Sequence, residues 1–73
     1  MLVDIMNQLA EQNGWSKHIC TKAKSWLWER HLVESSDLKR WYSNHKKDFD
    51  RFEYRNYGQG VKKVIDSLIK SEN

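Results

Sequence analysis

The sequence predicts an all-α fold: a compact small bundle of about four helices around a central aromatic-rich helix at residues 36–55. Three observations carry that expectation. Apolar residues recur at steps of three and four in four separate segments, which is the helical period and not the alternation of a strand. No proline occurs, and the glycines fall between those segments rather than within them. The chain has 73 residues, one domain's worth (1–73), and sits near the lower size limit for folding alone. With a single cysteine, Cys20, it cannot close an internal disulfide, so burial of its four tryptophans, close helix packing or self-association must supply the stability.

Taken in order, the first helix should run from about Val3 to Gln12, with Leu2, Val3, Ile5, Met6, Leu9 and Ala10 on one face. Asp4 lies in its first turn, where a carboxylate suits the positive end of the helix dipole. Asn13-Gly14 ends it, because glycine accepts the left-handed conformation that closes a helix. Ser16 is a good N-cap for the second helix, Lys17 to about His31, and Trp15 with Cys20 could staple its start. Its inner face reads Ile19, Cys20, Ala23, Trp26 and Leu27, and its outer face Lys17, Lys24, Trp28 and His31. Leu32 and Val33 interrupt the pattern and are expected to pack through a turn.

Ser35 or Ser36 should cap the third helix, with Asp37 in its first turn. Leu38, Trp41, Tyr42, His45, Phe49 and Phe52 then form one stripe, at about 100° per residue. Arg40, Lys47, Arg51 and Tyr54 lie opposite, with Arg55 at the margin. Continued to about Tyr54, this helix would carry both the core and the most basic surface. A short strand at 52–57 is the alternative there, disfavoured by the charges. Gly58-Gln59-Gly60 turns the chain into a fourth helix, Val61 to Lys70. There Val64, Ile65, Leu68 and Ile69 complete the cleanest amphipathic pattern, and Asp66 and Lys70 form an i,i+4 pair.

Charge and composition narrow the function classes. Thirteen basic residues against ten acidic ones leave a net charge of +3, which permits nucleic-acid contact without demanding it. No apolar run approaches the ~20 residues of a membrane span, and no basic leader precedes the apolar start, so neither membrane nor export is expected. One free cysteine suits a reducing compartment, and a cytoplasmic location is the expectation.

Metal and catalytic sites find no support. His18, Cys20, His31 and His45 lack the close pairings that zinc sites use. Asp48 and Asp50 point to different sides of a helix and, with Glu53, should pair with neighbouring Lys46, Lys47 and Arg51. Cys20 sits on an inner face, where it behaves as a small apolar residue. His45, mid-stripe, reads as a histidine at or in the core with one bonded nitrogen, and a pH switch is the sharper alternative. No cofactor and no enzymatic activity are therefore expected.

The basic and aromatic surface is the strongest signal outside the core. Arg40, Lys47 and Arg51, extended by Tyr54 and Arg55, would neutralise phosphates and stack a base. Lys17, Lys24, Trp28 and His31 form a second basic and aromatic stripe on helix two. A solvated charged face is the plain reading, but a tryptophan on a wet face usually has a partner. Lys17, Lys24, Trp28, Arg40, Lys47, Arg51, Tyr54 and Arg55 are the candidate site of a small regulatory or accessory binding protein, of the size and type that phages and mobile elements encode. Nucleic acid is the first partner considered. A host or partner protein is the alternative, since Trp and Arg also dominate protein interfaces. A homodimer would cover Trp28 as well. The four- or five-residue connection before the third helix has no glycine, which gives a helix-turn-helix reading no support.

Overall fold

The computed structural model describes residues 1–51 and 58–71. Among them are five helices and no strand: α1 Leu2–Asn13, α2 Lys17–Glu29, α3 Ser35–Asn44, α4 Lys46–Asp50 and α5 Gln59–Lys70. The expectations placed on Phe52, Glu53, Tyr54 and Arg55, and the strand considered at 52–57, lie outside the described residues. The radius of gyration is 11.2 Å, close to the ~11 Å typical of a compact chain of this length.

Local chemistry accounts for most helix boundaries. Gly14, at φ 68° and ψ 31°, closes α1. The Trp15 N–H reaches back to the Ala10 carbonyl at 3.1 Å, as in a left-handed glycine cap. Ser16 caps α2, its hydroxyl accepting the Ile19 N–H at 3.2 Å. At the other end of α2 the same closure occurs without glycine. His31 takes φ 59°. Its N–H bonds the Trp28 carbonyl at 3.0 Å, and the Leu32 N–H bonds that of Leu27 at 2.9 Å. Leu27 and Leu32 are both buried, which supplies the apolar contact that accompanies this motif.

The start of α3 departs from expectation. Glu34 is the N-cap, and Ser35 and Ser36 lie inside the first turn. Asp37 does the capping instead: its Oδ2 accepts the N–H groups of Glu34 at 3.0 Å and Val33 at 3.3 Å. A single carboxylate so placed satisfies two amides and faces the positive end of the dipole, which a serine hydroxyl cannot match. Nearby, the Leu2 N–H donates to the Val33 carbonyl at 3.0 Å, tying the start of α1 to the turn between α2 and α3.

The long third helix is broken. His45, at φ −126° and ψ 29°, separates α3 from α4. Ser43, Asn44 and His45 are three mediocre helix formers in succession. The His45 side chain shares its backbone's acceptor: its Nδ1 lies 2.9 Å from the Trp41 carbonyl, the oxygen its own N–H bonds at 2.8 Å. The ring is exposed and stacks on Trp41 at 4.9 Å and 11°. His45 is thus outside the core with one bonded nitrogen. The break still leaves Phe49 buried, edge-on to Trp41 at 6.5 Å and to Tyr42 at 5.7 Å.

Helix α3 is not the hub. That position belongs to α5, which packs against α1, α2 and α3, most extensively against α2. Val61, Val64, Ile65 and Leu68 of α5 are fully buried, whereas Trp41 and Tyr42 of α3 are half-buried. The reason is chemical. An all-aliphatic stripe has no polar atom to keep wet, while indole and phenol carry an N–H and an O–H that need a partner. Close approach of α5 to α2 is helped by small residues. Ala23 is fully buried, and a Cβ added at Gly60 would meet Ile19 Cδ1 at 3.0 Å. Leu2, Met6, Cys20, Trp26, Leu27, Leu32 and Leu38 complete the core, with Trp15 packed on its edge. No buried polar or charged residue occurs among the described residues.

Candidate nucleic-acid interface

Three of the four residues of the stripe expected on the second helix stay on α2, while His31 lies beyond its end at φ 59°. Lys17, Lys24 and Trp28 stand seven and four residues apart along it, so they share one side. Lys17 is exposed, Lys24 half-buried, and Trp28 is 61% exposed. Two residues earlier Trp26 is 2% exposed, so α2 presents one tryptophan to the core and one to water.

The described residues of the ridge expected on the third helix are divided between elements. Arg40 lies on α3, Lys47 on α4, and Arg51 follows the end of α4. The break at His45 interrupts the rotation that would have aligned Arg40 with Lys47. All three are exposed. Arg40 stands 4.0 Å from Asp37, an open and loose pair. Tyr54 and Arg55 lie outside the described residues. Those residues hold no group of three His, Cys, Asp or Glu side chains able to share a metal ion, and Cys20 is buried.

Other cations turn out to be organised by aromatic rings. The Arg30 guanidinium lies 4.1 Å from the Trp26 ring centre, and its Nη1 donates to the Trp26 carbonyl at 3.0 Å. Trp26 meets Trp41 edge-on at 5.1 Å and 83°. The ammonium of Lys62 lies 4.9 Å from Phe49, and that of Lys46 lies 5.8 Å from Tyr42. The aromatic cluster between α2, α3 and α4 is thus fringed by positive charge. Sequence reasoning missed Arg30 and Lys46, although Trp26 with Arg30 and Tyr42 with Lys46 are i,i+4 pairs, the spacing that flags such contacts. Lys62 over Phe49 has no local signal.

Sequence reasoning also missed a cleft. Arg30, His31 and Leu32 from the end of α2 meet Asp37, Arg40, Trp41 and Asn44 of α3 around an open volume of about 240 Å³. Trp28 is not among its lining residues. The two backbone N–H bonds hold the Asp37 carboxyl below the ordinary 3.8, with the Arg40 charge acting in the same direction and desolvation opposing. Asp37 is therefore ionised at neutral pH and committed to the helix start.

No protein family, curated protein or solved structure matches this chain.

Proposed function

We propose that this chain is a small non-enzymatic regulatory or accessory protein that contacts nucleic acid through exposed cations and an exposed indole. The observation that carries the reading is Trp28. It is a large apolar side chain left 61% exposed on the same side of α2 as Lys17 and Lys24. A stacking surface flanked by charge is what single-stranded nucleic acid needs, since bases have π-faces and every linkage carries a negative charge. Arg40, Lys47 and Arg51 add exposed cations on α3 and α4 and just beyond.

The test is fluorescence anisotropy with labelled single-stranded DNA, RNA and duplex DNA over a salt series. Log affinity should fall linearly with log salt, by about 0.7 per strand phosphate neutralised. Trp28→Ala should weaken binding to the single strand by roughly 5- to 150-fold, the worth of one stacked base. Absence of binding to all three probes refutes the reading, as does an affinity that salt leaves unchanged.

A protein partner is the second reading, and the same tryptophan favours it, because Trp anchors protein interfaces. Recovery of a stoichiometric protein that survives nuclease treatment and is lost in Trp28→Ala would select this reading over the first.

A further inference from the structure

The cleft between the end of α2 and α3 is built from donors. Arg30, His31, Arg40 and Asn44 all line it, beside the Trp41 indole. Two of these side chains are permanently cationic, and all four can donate hydrogen bonds. Its one carboxylate, Asp37, already accepts two backbone N–H groups through Oδ2 and lies 4.0 Å from Arg40 through Oδ1. Arg30 is held in place before any ligand arrives. Its Nη1 bonds the Trp26 carbonyl and lies 3.6 Å from Glu29, and the guanidinium is seated over the Trp26 ring. Neither polar contact uses Nη2 or Nε, and little rotamer freedom is left to lose. The volume, about 240 Å³, is below the roughly 300–1,000 Å³ of pockets that enclose a small molecule, so the cleft fits a group and not a molecule. His31 lines it from the left-handed position, φ 59°, that closes α2.

We infer that this cleft seats a single phosphate group, with the Arg30 and Arg40 guanidiniums on its oxygens and His31 and Asn44 as further donors. The inference rests on the nucleic-acid reading for the source of that group, a strand phosphate, and deepens it by naming where the phosphate sits. It places a second contact region on α3, on residues other than Trp28.

The test titrates inorganic phosphate into the full chain, with chloride at matched ionic strength as reference. NMR follows the Arg30 and Arg40 guanidinium, Asn44 carboxamide and Trp41 indole signals. Saturable shifts confined to these groups are expected. Arg40→Ala, at an exposed position, should weaken them on the order of tenfold or more, the worth of a charged hydrogen bond. Lys63→Ala removes the same charge from exposed α5 surface and should leave them unchanged. Shifts that fail to saturate, or that fall equally in both variants, overturn the seat. A short oligonucleotide supplies the other arm. If it binds without moving the cleft signals, the seat is overturned and the proposed function stands. If inorganic phosphate saturates the cleft while no oligonucleotide binds, the seat is upheld and the strand as its source is overturned.

Discussion

Trp26 and Trp28 make a controlled experiment within one helix. They differ by two residues and by which side of α2 they occupy, 2% against 61% exposed. Truncating a buried tryptophan to alanine costs about 3–5 kcal/mol. Trp26 sits in the upper part of that range, because Ala would also remove its edge contact with Trp41 at 5.1 Å and the ring beneath Arg30. A domain of 73 residues has a total stability of about 4–11 kcal/mol at typical per-residue values. Trp26→Ala should therefore remove about a third of the stability at the least and all of it at the most, and lower Tm by roughly 15–40 °C, at 4–8 °C per kcal/mol. Trp28→Ala should stay within about 0.5 kcal/mol of the parent, as surface changes do. Thermal and urea unfolding followed by far-UV circular dichroism would measure both. Because Trp26→Ala could fail to fold, Trp26→Phe serves as the graded variant, with a smaller loss in the same direction. Equal effects at the two positions would refute the assignment of the two faces, and with it the exposed indole on which the proposed function depends.

Two further outcomes follow from the helix ends. His31→Gly should raise stability by up to about 1.5 kcal/mol, since a left-handed residue with a Cβ costs about 1–2 kcal/mol and glycine's extra unfolded-state entropy takes back about 0.5–1. Thermal unfolding would check it, and a loss of stability would mean that the His31 ring contributes packing here. The same variant should weaken phosphate in the cleft, so stability and binding should move oppositely. For Asp37 the folded pKa is lowered, so its contribution is complete above the ordinary carboxylate value of 3.8 and is lost as pH falls through the lower folded value. Asp37→Asn should be less stable than the parent at neutral pH, and the gap should close in acid; a gap independent of pH in urea titrations would contradict that linkage.

How much could be read from the chain alone depended on the range of the interactions. The helical segments, the glycine closure at Gly14, the Ser16 cap and the Asp66–Lys70 pair, observed at 3.0 Å, are decided within four or five residues. So is the sorting of α2 into Cys20, Ala23, Trp26 and Leu27 inside and Trp28 outside. The break at His45 was not legible in this way. The apolar stripe runs on past it, and the backbone turn at His45, φ −126° and ψ 29°, leaves no trace in the period.

The sequence by itself determined an all-α chain, where most of its helices start and stop, and which face of α2 turns inward. Tertiary structure alone decided that α5 rather than α3 stands at the centre, that Arg40 lines one cleft with Arg30 and His31, and that Arg40 and Lys47 stand on separate helices. Periodicity states only that a face is apolar. Which apolar faces meet is settled by packing between helices: the aliphatic stripe of α5 buries completely, while Trp41 and Tyr42 of α3 stay half-buried.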